Sequence, residues 1–492
     1  MTTMVRLRTV RALAALAACV GATLSVTAGQ GRGSDTLEER IRRVENGLLP
    51  AVVIKGEPLT GLKLADRMDR HKTPGVSIAV IDDGALDWAR GYGVRETGGT
   101  DVVTPRTLFQ AASISKPVAA VAALRLVEAG RLELDAEVNA KLVSWKVPDN
   151  DLTKERKVTL GGVLSHTAGL TVHGYPGYAA NRPVPTLVQV LEGVSPSNTA
   201  PTRVDIVPGG RWRYAGGGFS VMQQLLIDVT GQPFPELMRE TVLRQAGMSD
   251  STYEQPLGAQ WRTRAAAGHD ARGTVIEGRS HTYPEMAAAG LWTTPSDLAR
   301  FAIELQQAAA GRSNRLLSSA MAKRMLTPGI GDWGLGLQVR GSGQTTRFSH
   351  GGANAGFRAT LVAYAEAGRG AVVLTNSDSG GALAEEILRG IAREYGWPDY
   401  APREKILATL DTGVLDAYAG VYELRPALRI TVSREASTLV AEADGQRFEL
   451  RPESETSFFT LTSPLEVRFV KDAAGRVTHL VLNGDAQARR IR

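Results

Sequence analysis

A serine and a lysine stand three residues apart at the start of a predicted helix. The pair is Ser113 and Lys116, and apolar residues recur at helical spacing after it, from Val118 to Val127. Three residues make about one helical turn, so the two side chains are expected to share a face. A helix N-terminus favours an anion, and a neutral lysine amine can take the proton of a neighbouring hydroxyl. The stretch predicts a nucleophilic serine, although a helix cap followed by a surface lysine has the same pattern.

Tyr214 stands before a glycine-rich entry to another predicted helix. Gly216, Gly217 and Gly218 follow it, and apolar residues then recur at helical spacing over residues 221–229. Glycines beside a tyrosine leave room for a ligand to approach the phenol closely. A packed aromatic ring at a helix entry is the alternative interpretation.

A histidine and two glycines, His350, Gly351 and Gly352, lie within a region of strand-like alternation. Glycines at a strand edge let another backbone come close, as when an extended substrate pairs with that edge. A second histidine, His166, lies in the run 164–170, which has the glycine cap of a helix end. We therefore interpret His166 as a structural residue rather than as a catalytic base.

The periodicity of the apolar residues predicts an α+β fold. Residues 76–92 alternate around a turn at 82–84, which predicts a hairpin. Helical spacing dominates between residues 124 and 326, a period of two begins at Trp333, and helical spacing returns over residues 382–395. The pattern predicts an antiparallel sheet flanked by helices, together with a helical subdomain.

The C-terminal part of the chain has a separate pattern of short strands, with a plausible hairpin turn at residues 472–475. A chain of 492 residues suits one large domain and one smaller domain. We therefore predict a large domain over residues 29–400, a linker over 401–411 and a small β-barrel-like domain over 412–492.

The first 28 residues have the features of an export signal. Three arginines accompany an apolar stretch from Ala12 to Val26, and small residues at 26–28 suit cleavage. Leu16 to Cys19 also matches a bacterial lipobox. A lipoprotein signal ending before Cys19, with lipidation and membrane anchoring at that residue, is the alternative. Cys19 is the only cysteine of the chain, so no disulfide can form within it.

Charge and motif content argue against several functions. The formal net charge is +6, and three of the arginines lie in the first 28 residues, which leaves +3 on the remainder. No basic run with interleaved aromatic residues is present, so no nucleic-acid partner is expected. The seven histidines are scattered, and neither HExxH nor GxSxG occurs. We expect no metal and no cofactor, and the sequence does not predict an oligomeric state.

The order of the motifs resembles that of the penicillin-recognising serine hydrolases: Ser113 and Lys116, then Tyr214, then His350-Gly351-Gly352. Over about residues 60–400 the chain resembles the branch that contains class C β-lactamases, D-Ala-D-Ala carboxypeptidases, D-aminopeptidases and family VIII esterases. Shorter similar stretches lie at residues 73–75, 164–170, 247–248 and 290–298. The resemblance implies a β-lactamase/transpeptidase-like fold followed by a small lipocalin-like β domain.

The same resemblance implies a role for each motif residue. Ser113 would be the acylated nucleophile and Lys116 its base or proton relay. Tyr214 would activate Ser113 and, later, the deacylating water. The backbone N–H groups of Ser113 and Ala353 would form an oxyanion hole, which stabilises the tetrahedral intermediate more than the substrate. The substrate would be a small molecule or a short peptide.

Departures from the family pattern bear on the substrate. Gly216 replaces an asparagine whose amide would hold a substrate carbonyl, and His350-Gly351-Gly352 replaces Lys-Thr-Gly, which attracts a carboxylate. We therefore expect weak β-lactam hydrolysis at most. Asn354 is either a replacement polar contact or a solvated loop residue, and we favour the solvated loop. Because an imidazole has an ordinary pKa of about 6.5, His350 is expected to titrate near that value and to be mostly uncharged at neutral pH.

Two classes of function remain. We favour an exported hydrolase that acts on an ester or an amide through an acyl-enzyme, as an esterase or a D-amino-acid peptidase. A β-lactamase or a D-Ala-D-Ala carboxypeptidase is the alternative among enzymes. The rival class is a sensor that binds peptidoglycan fragments or β-lactams without turnover. The presence of Ser113, Lys116 and Tyr214 together favours turnover.

Overall fold

The computed structural model describes residues 36–426, 428–443, 446–461 and 465–492. The predicted export signal and Cys19 lie outside these residues. The helices are α1 (Leu37–Glu45), α2 (Leu64–Arg70), α3 (Ser115–Glu128), α4 (Leu160–Leu164), α5 (Leu187–Glu192), α6 (Gly216–Thr230), α7 (Phe234–Met238), α8 (Ala259–Arg262), α9 (Met286–Ala289), α10 (Pro295–Ala309), α11 (Ser319–Met325), α12 (Gly380–Tyr395) and α13 (Thr412–Asp416). Within the described ranges, none of the helices is long and apolar enough to cross a bilayer.

The strands are β1 (Val52–Ile54), β2 (Gly75–Asp82), β3 (Ala85–Gly93), β4 (Phe109–Gln110), β5 (Trp292–Thr293), β6 (Gln338–Arg340), β7 (Arg347–Asn354), β8 (Phe357–Tyr364), β9 (Gly370–Thr375), β10 (Arg403–Lys405), β11 (Gly420–Arg425), β12 (Leu428–Glu435), β13 (Thr438–Ala443), β14 (Gln446–Pro452), β15 (Ser457–Phe459), β16 (Glu466–Lys471), β17 (Val477–Leu482) and β18 (Ala486–Arg490).

The main sheet has six antiparallel strands in the order β3-β2-β9-β8-β7-β6. Its hairpin of β2 and β3 is the one predicted from the sequence, and Asp83 and Gly84 turn the chain with φ angles of 49° and 70°. The strands predicted after Trp333 are present as β6 to β9, and the helix that follows them is α12. The predicted α+β class, with an antiparallel sheet and helices packed around it, is therefore confirmed.

The sheet separates two hydrophobic cores. Along β2, Val76 and Ile78 pack on the face that carries α1 and α12, whereas Ala79 and Ile81 pack on the opposite face. The second face is covered by the helical subdomain, in which α3 is central and buried from Ser115 through to its tenth residue. Because α3 is surrounded by other elements, the side chains of its first turn are also held in the interior.

The C-terminal strands form the all-β domain that the sequence predicted. β11 to β18 close into a barrel, each strand pairing with the next, and β18 pairs back to β11. Its core contains Tyr418, Tyr422, Phe458 and Phe469, and the rings of Tyr418 and Phe469 stack with centroids 4.3 Å apart.

The segment predicted as a linker contains a strand that connects the two domains. β10 pairs in parallel with β1, where Arg403 lies opposite Val52. At the end of β10, the Lys405 Nζ atom lies 2.9 Å from Glu453 and 3.0 Å from Glu466 of the barrel. The linker is therefore held by backbone pairing on one side and by ion pairs on the other.

Candidate active site

Ser113 lies in a 3-10 turn, Ala112–Ile114, between β4 and α3. Ala112 has a φ of 50°, a strained conformation for a residue with a Cβ atom. The side chain of Ser115 holds the turn: its Oγ donates to the Ala112 carbonyl at 2.5 Å and accepts from the Leu291 N–H at 2.9 Å. The turn presents Ser113 two residues before the first residue of α3, close to where the sequence placed it.

Lys116 lies in the first turn of α3 and is buried, with 2% of its surface exposed. Its Nζ atom donates to Ser113 Oγ at 2.9 Å and to the Ala288 carbonyl at 2.8 Å. Desolvation lowers the pKa of the Lys116 amine to about 7. A large fraction of the amine is therefore neutral near pH 7, in hydrogen-bond reach of the hydroxyl whose proton it would take.

Tyr214 lies two residues before the start of α6, beside Lys116. The Lys116 Nζ atom is 5.0 Å from the centroid of its ring. Burial raises the pKa of the Tyr214 phenol well above its ordinary range, and Ser113 counters that rise in part. The phenol oxygen nevertheless makes no hydrogen bond of normal geometry with any described residue. Tyr214 is therefore a neutral hydroxyl, able to donate a proton to a reacting group.

Ser113, Tyr214 and Ala353 line one cavity of about 600 Å³, together with Gly351 and Gly352. Gly352 permits β7 to approach the serine turn, because a Cβ atom there would stand 2.2 Å from the Ala111 carbonyl oxygen. The two residues predicted to supply oxyanion-hole N–H groups, Ser113 and Ala353, thus border the same space. A larger cavity of about 940 Å³ lies between α2 and β3 and includes none of these residues.

His350 occupies the predicted position on β7 but has a different acid–base behaviour from the one expected. Its Nδ1 atom donates to the Gly351 carbonyl at 2.6 Å, and Nε2 is buried with no partner in the described structure. Burial and, secondarily, the charge of Lys116 lower the pKa of His350 to about 3. The expected titration near 6.5 is therefore wrong, and His350 is neutral over the whole physiological range.

Asn354 is not the solvated loop residue that we expected. It ends β7 and is buried, and its Nδ2 atom donates to Gln110 Oε1 at 2.8 Å and to the Ala289 carbonyl at 3.1 Å. Both bonds tie β7 to elements that flank the serine turn, since Gln110 belongs to β4 and Ala289 to α9. Asn354 is not among the residues that line the cavity, and both N–H groups of its side-chain amide are engaged in these two bonds.

Gly216 begins α6 and also lies outside the cavity lining. A Cβ atom on Gly216 would lie 3.1 Å from the His173 carbonyl oxygen and 3.1 Å from a ring carbon of Tyr175. The Tyr175 ring therefore fills the space beside this backbone position, and a side chain could not be added without movement of the neighbours.

Several contributors to the site have no motif of their own. Trp212 and Trp333 add aromatic walls to the cavity, and their ring centroids are 5.5 Å apart. His166, predicted to be structural, packs against Tyr214 with centroids 4.3 Å apart. The Ala288 carbonyl that binds Lys116 is a backbone group, and the only sequence signal near it is the family-like stretch that begins at Gly290. These contacts join residues far apart in the chain, so spacing alone could not reveal them.

The two charged side chains at the cavity wall, Arg358 and Glu385, each lie beside a residue of opposite charge. Arg358 lies 2.9 Å from Asp378, and Glu385 lies 3.5 Å from Arg389. In the described part of the chain, no group of three or more His, Cys, Asp or Glu side chains is placed to hold a metal ion. The groups available for chemistry at Ser113 are an amine, a phenol and backbone amides.

Comparison with known proteins agrees with this geometry. The Beta-lactamase family model matches residues 63–394, a range that contains Ser113, Lys116, Tyr214 and His350 and exceeds half of the chain. Penicillin-binding protein 4 of Amycolatopsis lactamdurans is 28% identical over 349 residues, which cover 66% of this chain and 85% of that protein. The D-alanyl-D-alanine-carboxypeptidase/endopeptidase AmpH of Escherichia coli is 26% identical over 254 residues, 50% of this chain and 62% of that protein.

Solved structures share the fold at lower identity. The octameric penicillin-binding protein homologue from Pyrococcus abyssi superposes with a TM-score of 0.59 at 22% identity, over 86% of this chain and 98% of that one. The D-alanine carboxypeptidase AmpC from Burkholderia cenocepacia gives a TM-score of 0.55 at 19% identity, over 72% of this chain and 99% of that one. The chain therefore belongs to the β-lactamase family and is a β-lactamase-related serine hydrolase.

Proposed function

We propose that the protein hydrolyses a carboxylic ester or amide through an acyl-enzyme on Ser113. The observation that carries the proposal is the 2.9 Å contact between Ser113 Oγ and a buried lysine amine. Lys116 has no carboxylate partner in the described structure, so it can lose its proton near neutral pH and serve as a base.

The proposed reaction assigns each proton to a group. The Ser113 proton moves to the Lys116 amine as Oγ bonds to the carbonyl carbon, and the backbone N–H groups of Ser113 and Ala353 stabilise the oxyanion. The C–O or C–N bond to the leaving group then breaks. The leaving group takes a proton from Tyr214, which regains it from the Lys116 ammonium, so that an acyl-serine, a neutral phenol and a neutral amine remain. Water attacks the acyl carbon with the same amine as base, releasing the acid and restoring Ser113.

The cavity supports an uncharged acyl group better than an anionic one. His350, which stands where the family pattern described above has a lysine, is neutral, and Arg358 is already paired with Asp378. The walls contributed by Trp212 and Trp333 are aromatic. An esterase or a D-amino-acid peptidase therefore suits this cavity better than an efficient β-lactamase, because none of the described residues that line it is an unpaired cation able to hold a β-lactam carboxylate.

Peptidase and sensor functions remain as alternatives. The similarity to a D-alanyl-D-alanine-carboxypeptidase/endopeptidase favours a peptide substrate with a D-amino acid. A sensor would be acylated once and would not turn over.

The experiment compares a chromogenic ester, a D-amino-acid anilide and a chromogenic cephalosporin on one preparation, with Ser113→Ala as the matched control. We expect the ester or the anilide to be turned over many times and the cephalosporin slowly. A burst of one equivalent followed by no further product would support the sensor. Equal turnover by Ser113→Ala would contradict the proposed nucleophile.

We also propose that the protein is exported, since residues 1–28 have the pattern of a signal and include a lipobox cysteine. Fractionation of cells that express the wild type or Cys19→Ala distinguishes the forms. Membrane association that is lost in Cys19→Ala indicates a lipid anchor, and retention of both proteins in the cytoplasm contradicts export.

A further inference from the structure

His166 makes three contacts that all converge on Tyr214. Its backbone carbonyl accepts the N–H of Arg213 at 2.9 Å. Its Nδ1 atom accepts the N–H of Ala215 at 3.1 Å. Between these two bonds, its ring packs on the Tyr214 ring with centroids 4.3 Å apart and planes inclined by 36°. The residues on both sides of Tyr214 and the phenol ring itself are thus held by one residue.

The chemical state of His166 is fixed by these contacts. Because an amide N–H can only donate, Nδ1 must be the unprotonated nitrogen of a neutral imidazole, and the ring proton lies on Nε2. The side chain is 2% exposed, and Nε2 has no hydrogen-bond partner among the described residues. Burial, with the nearby Lys116, lowers the pKa of His166 well below its ordinary value, which keeps Nδ1 available as an acceptor.

The backbone of His166 is held in a strained conformation. Its φ is 58°, in the left-handed region that residues with a Cβ atom rarely adopt. The ring also packs against Phe219 and Trp333, at centroid distances of 5.4 and 5.1 Å. Such strain persists only where the surroundings impose it, and here they place an imidazole nitrogen directly opposite the amide that follows Tyr214.

We propose that His166 is a positioning residue that clamps Tyr214 in place beside Lys116 and Ser113, through its Nδ1 acceptor and its ring. The proposal rests on the proposed function, in which Tyr214 delivers a proton during acyl transfer. A phenol without a hydrogen bond of its own needs its backbone and ring held from outside, and His166 provides both supports. Small displacements of a proton donor can cost about 10²-fold in rate.

Two substitutions separate the acceptor from the backbone conformation. His166→Asn keeps an acceptor, because Asn Oδ1 stands near the position of histidine Nδ1, and asparagine tolerates a positive φ. His166→Gly also tolerates the positive φ but has no acceptor and no ring. Both variants retain the backbone carbonyl that binds Arg213.

The test measures kcat and KM for both variants in the wild-type background and in Tyr214→Phe, with unfolding curves as a check on folding. We expect His166→Gly to lower kcat by about 10²-fold with little change in KM, and His166→Asn to recover much of that loss. In the Tyr214→Phe background, His166→Gly should cause no further loss, since the group that it positions is already absent.

An equal loss in both backgrounds would overturn the proposal, because a packing defect acts whether or not the phenol oxygen is present. Unchanged kcat in His166→Gly would also overturn it. If His166→Gly does not fold, His166→Asn, which lacks the ring but tolerates the positive φ, takes its place in the same cycle. If no substrate is turned over, the rate of covalent labelling by a fluorophosphonate replaces kcat. Failure of the proposed function is recognised by a different result, covalent labelling that survives Ser113→Ala. That result concerns the nucleophile and does not depend on His166.

Discussion

Two lysines of this protein are held in opposite ways. Lys116, next to Ser113 at the candidate active site, contacts a hydroxyl and a carbonyl, and burial lowers the pKa of its amine to about 7. Lys405, at the junction of the two domains, contacts Glu453 and Glu466. Burial opposes its charge, but the hydrogen bonds with these two carboxylates outweigh burial and raise its pKa. The groups that surround a lysine thus decide whether its amine is neutral enough to be a base or is held as a structural cation.

Buried polar atoms of the barrel and of the candidate active site also differ in whether they have hydrogen-bond partners. In the barrel, Tyr418 donates to the Glu455 carbonyl at 2.9 Å and Tyr422 donates to the Tyr418 carbonyl at 2.8 Å. At the candidate active site, the Tyr214 oxygen and the His350 Nε2 atom are buried without partners in the described structure. Unpaired buried polar atoms are uncommon in proteins and call for a specific role, so their concentration beside Ser113 agrees with a reactive site.

The largest expected effect concerns the serine next to the free amine. Ser113→Ala should abolish covalent labelling by a fluorophosphonate and all ester turnover, because no other nucleophile is proposed. Labelling measured by intact mass, with circular dichroism as a control for folding, checks this prediction. An adduct that persists in Ser113→Ala would assign the chemistry to another residue.

Removal of the Lys116 amine should lower the activity of the protein and raise its stability. Lys116→Met should lower kcat by about 10²- to 10⁴-fold, as expected for a general base. It should also raise the free energy of unfolding at neutral pH, by about 0.5–2 kcal/mol, since a buried amine with a lowered pKa opposes folding below its unfolded pKa. Urea unfolding and steady-state kinetics measure the two effects. A loss of stability with normal kcat would reassign Lys116 to packing.

A carboxylate placed near Lys116 should raise the pKa of its amine, as the two glutamates do for Lys405. His350 lies within electrostatic range of the Lys116 amine. His350→Glu should favour the ammonium form of Lys116, raise its pKa and move the rise of kcat/KM to higher pH. His350→Gln is the neutral control and should leave the profile near that of the wild type. Identical pH profiles for the two variants would show that the charge of Lys116 does not limit the reaction.

The smallest effect is expected at the domain junction. Lys405→Met should lower the free energy of unfolding by less than about 1 kcal/mol and leave kcat unchanged. Because the folded pKa of Lys405 is raised, its contribution is present below the unfolded pKa of about 10.4 and is lost as pH rises through the higher folded value. Urea unfolding at pH 7 and at pH 11 measures this. A large loss of activity would mean that the barrel influences the catalytic site.

The sequence predicted the parts of the molecule that depend on local patterns. Alternation around Asp83 predicted the β2–β3 hairpin, and helical spacing after Lys116 predicted α3, because both follow from near neighbours in the chain. The order of the motifs in the chain singled out Ser113, Lys116 and Tyr214 as site residues, and the fold brings these three together. Their proximity was inferred from the family resemblance rather than from spacing.

The remaining features depend on contacts between distant segments. We expected Asn354 to be a loop residue. It is buried instead, and it donates hydrogen bonds to Gln110 and to the Ala289 carbonyl, which are 244 and 65 residues away in the chain. The pKa of His350 could not be read from its neighbours in the chain, since burial and Lys116 determine it. The position of His166 against Tyr214 likewise required the three-dimensional packing of α4 and α6.

The most direct test of the account is the rate of acyl-enzyme formation on Ser113 as a function of pH, followed by mass spectrometry with a neutral acylating probe. A neutral Lys116 amine predicts a single adduct on Ser113 and a rate that rises with a midpoint near pH 7, the lowered pKa of that amine. A midpoint near the ordinary lysine pKa of about 10.4, or an adduct on another residue, would contradict the account.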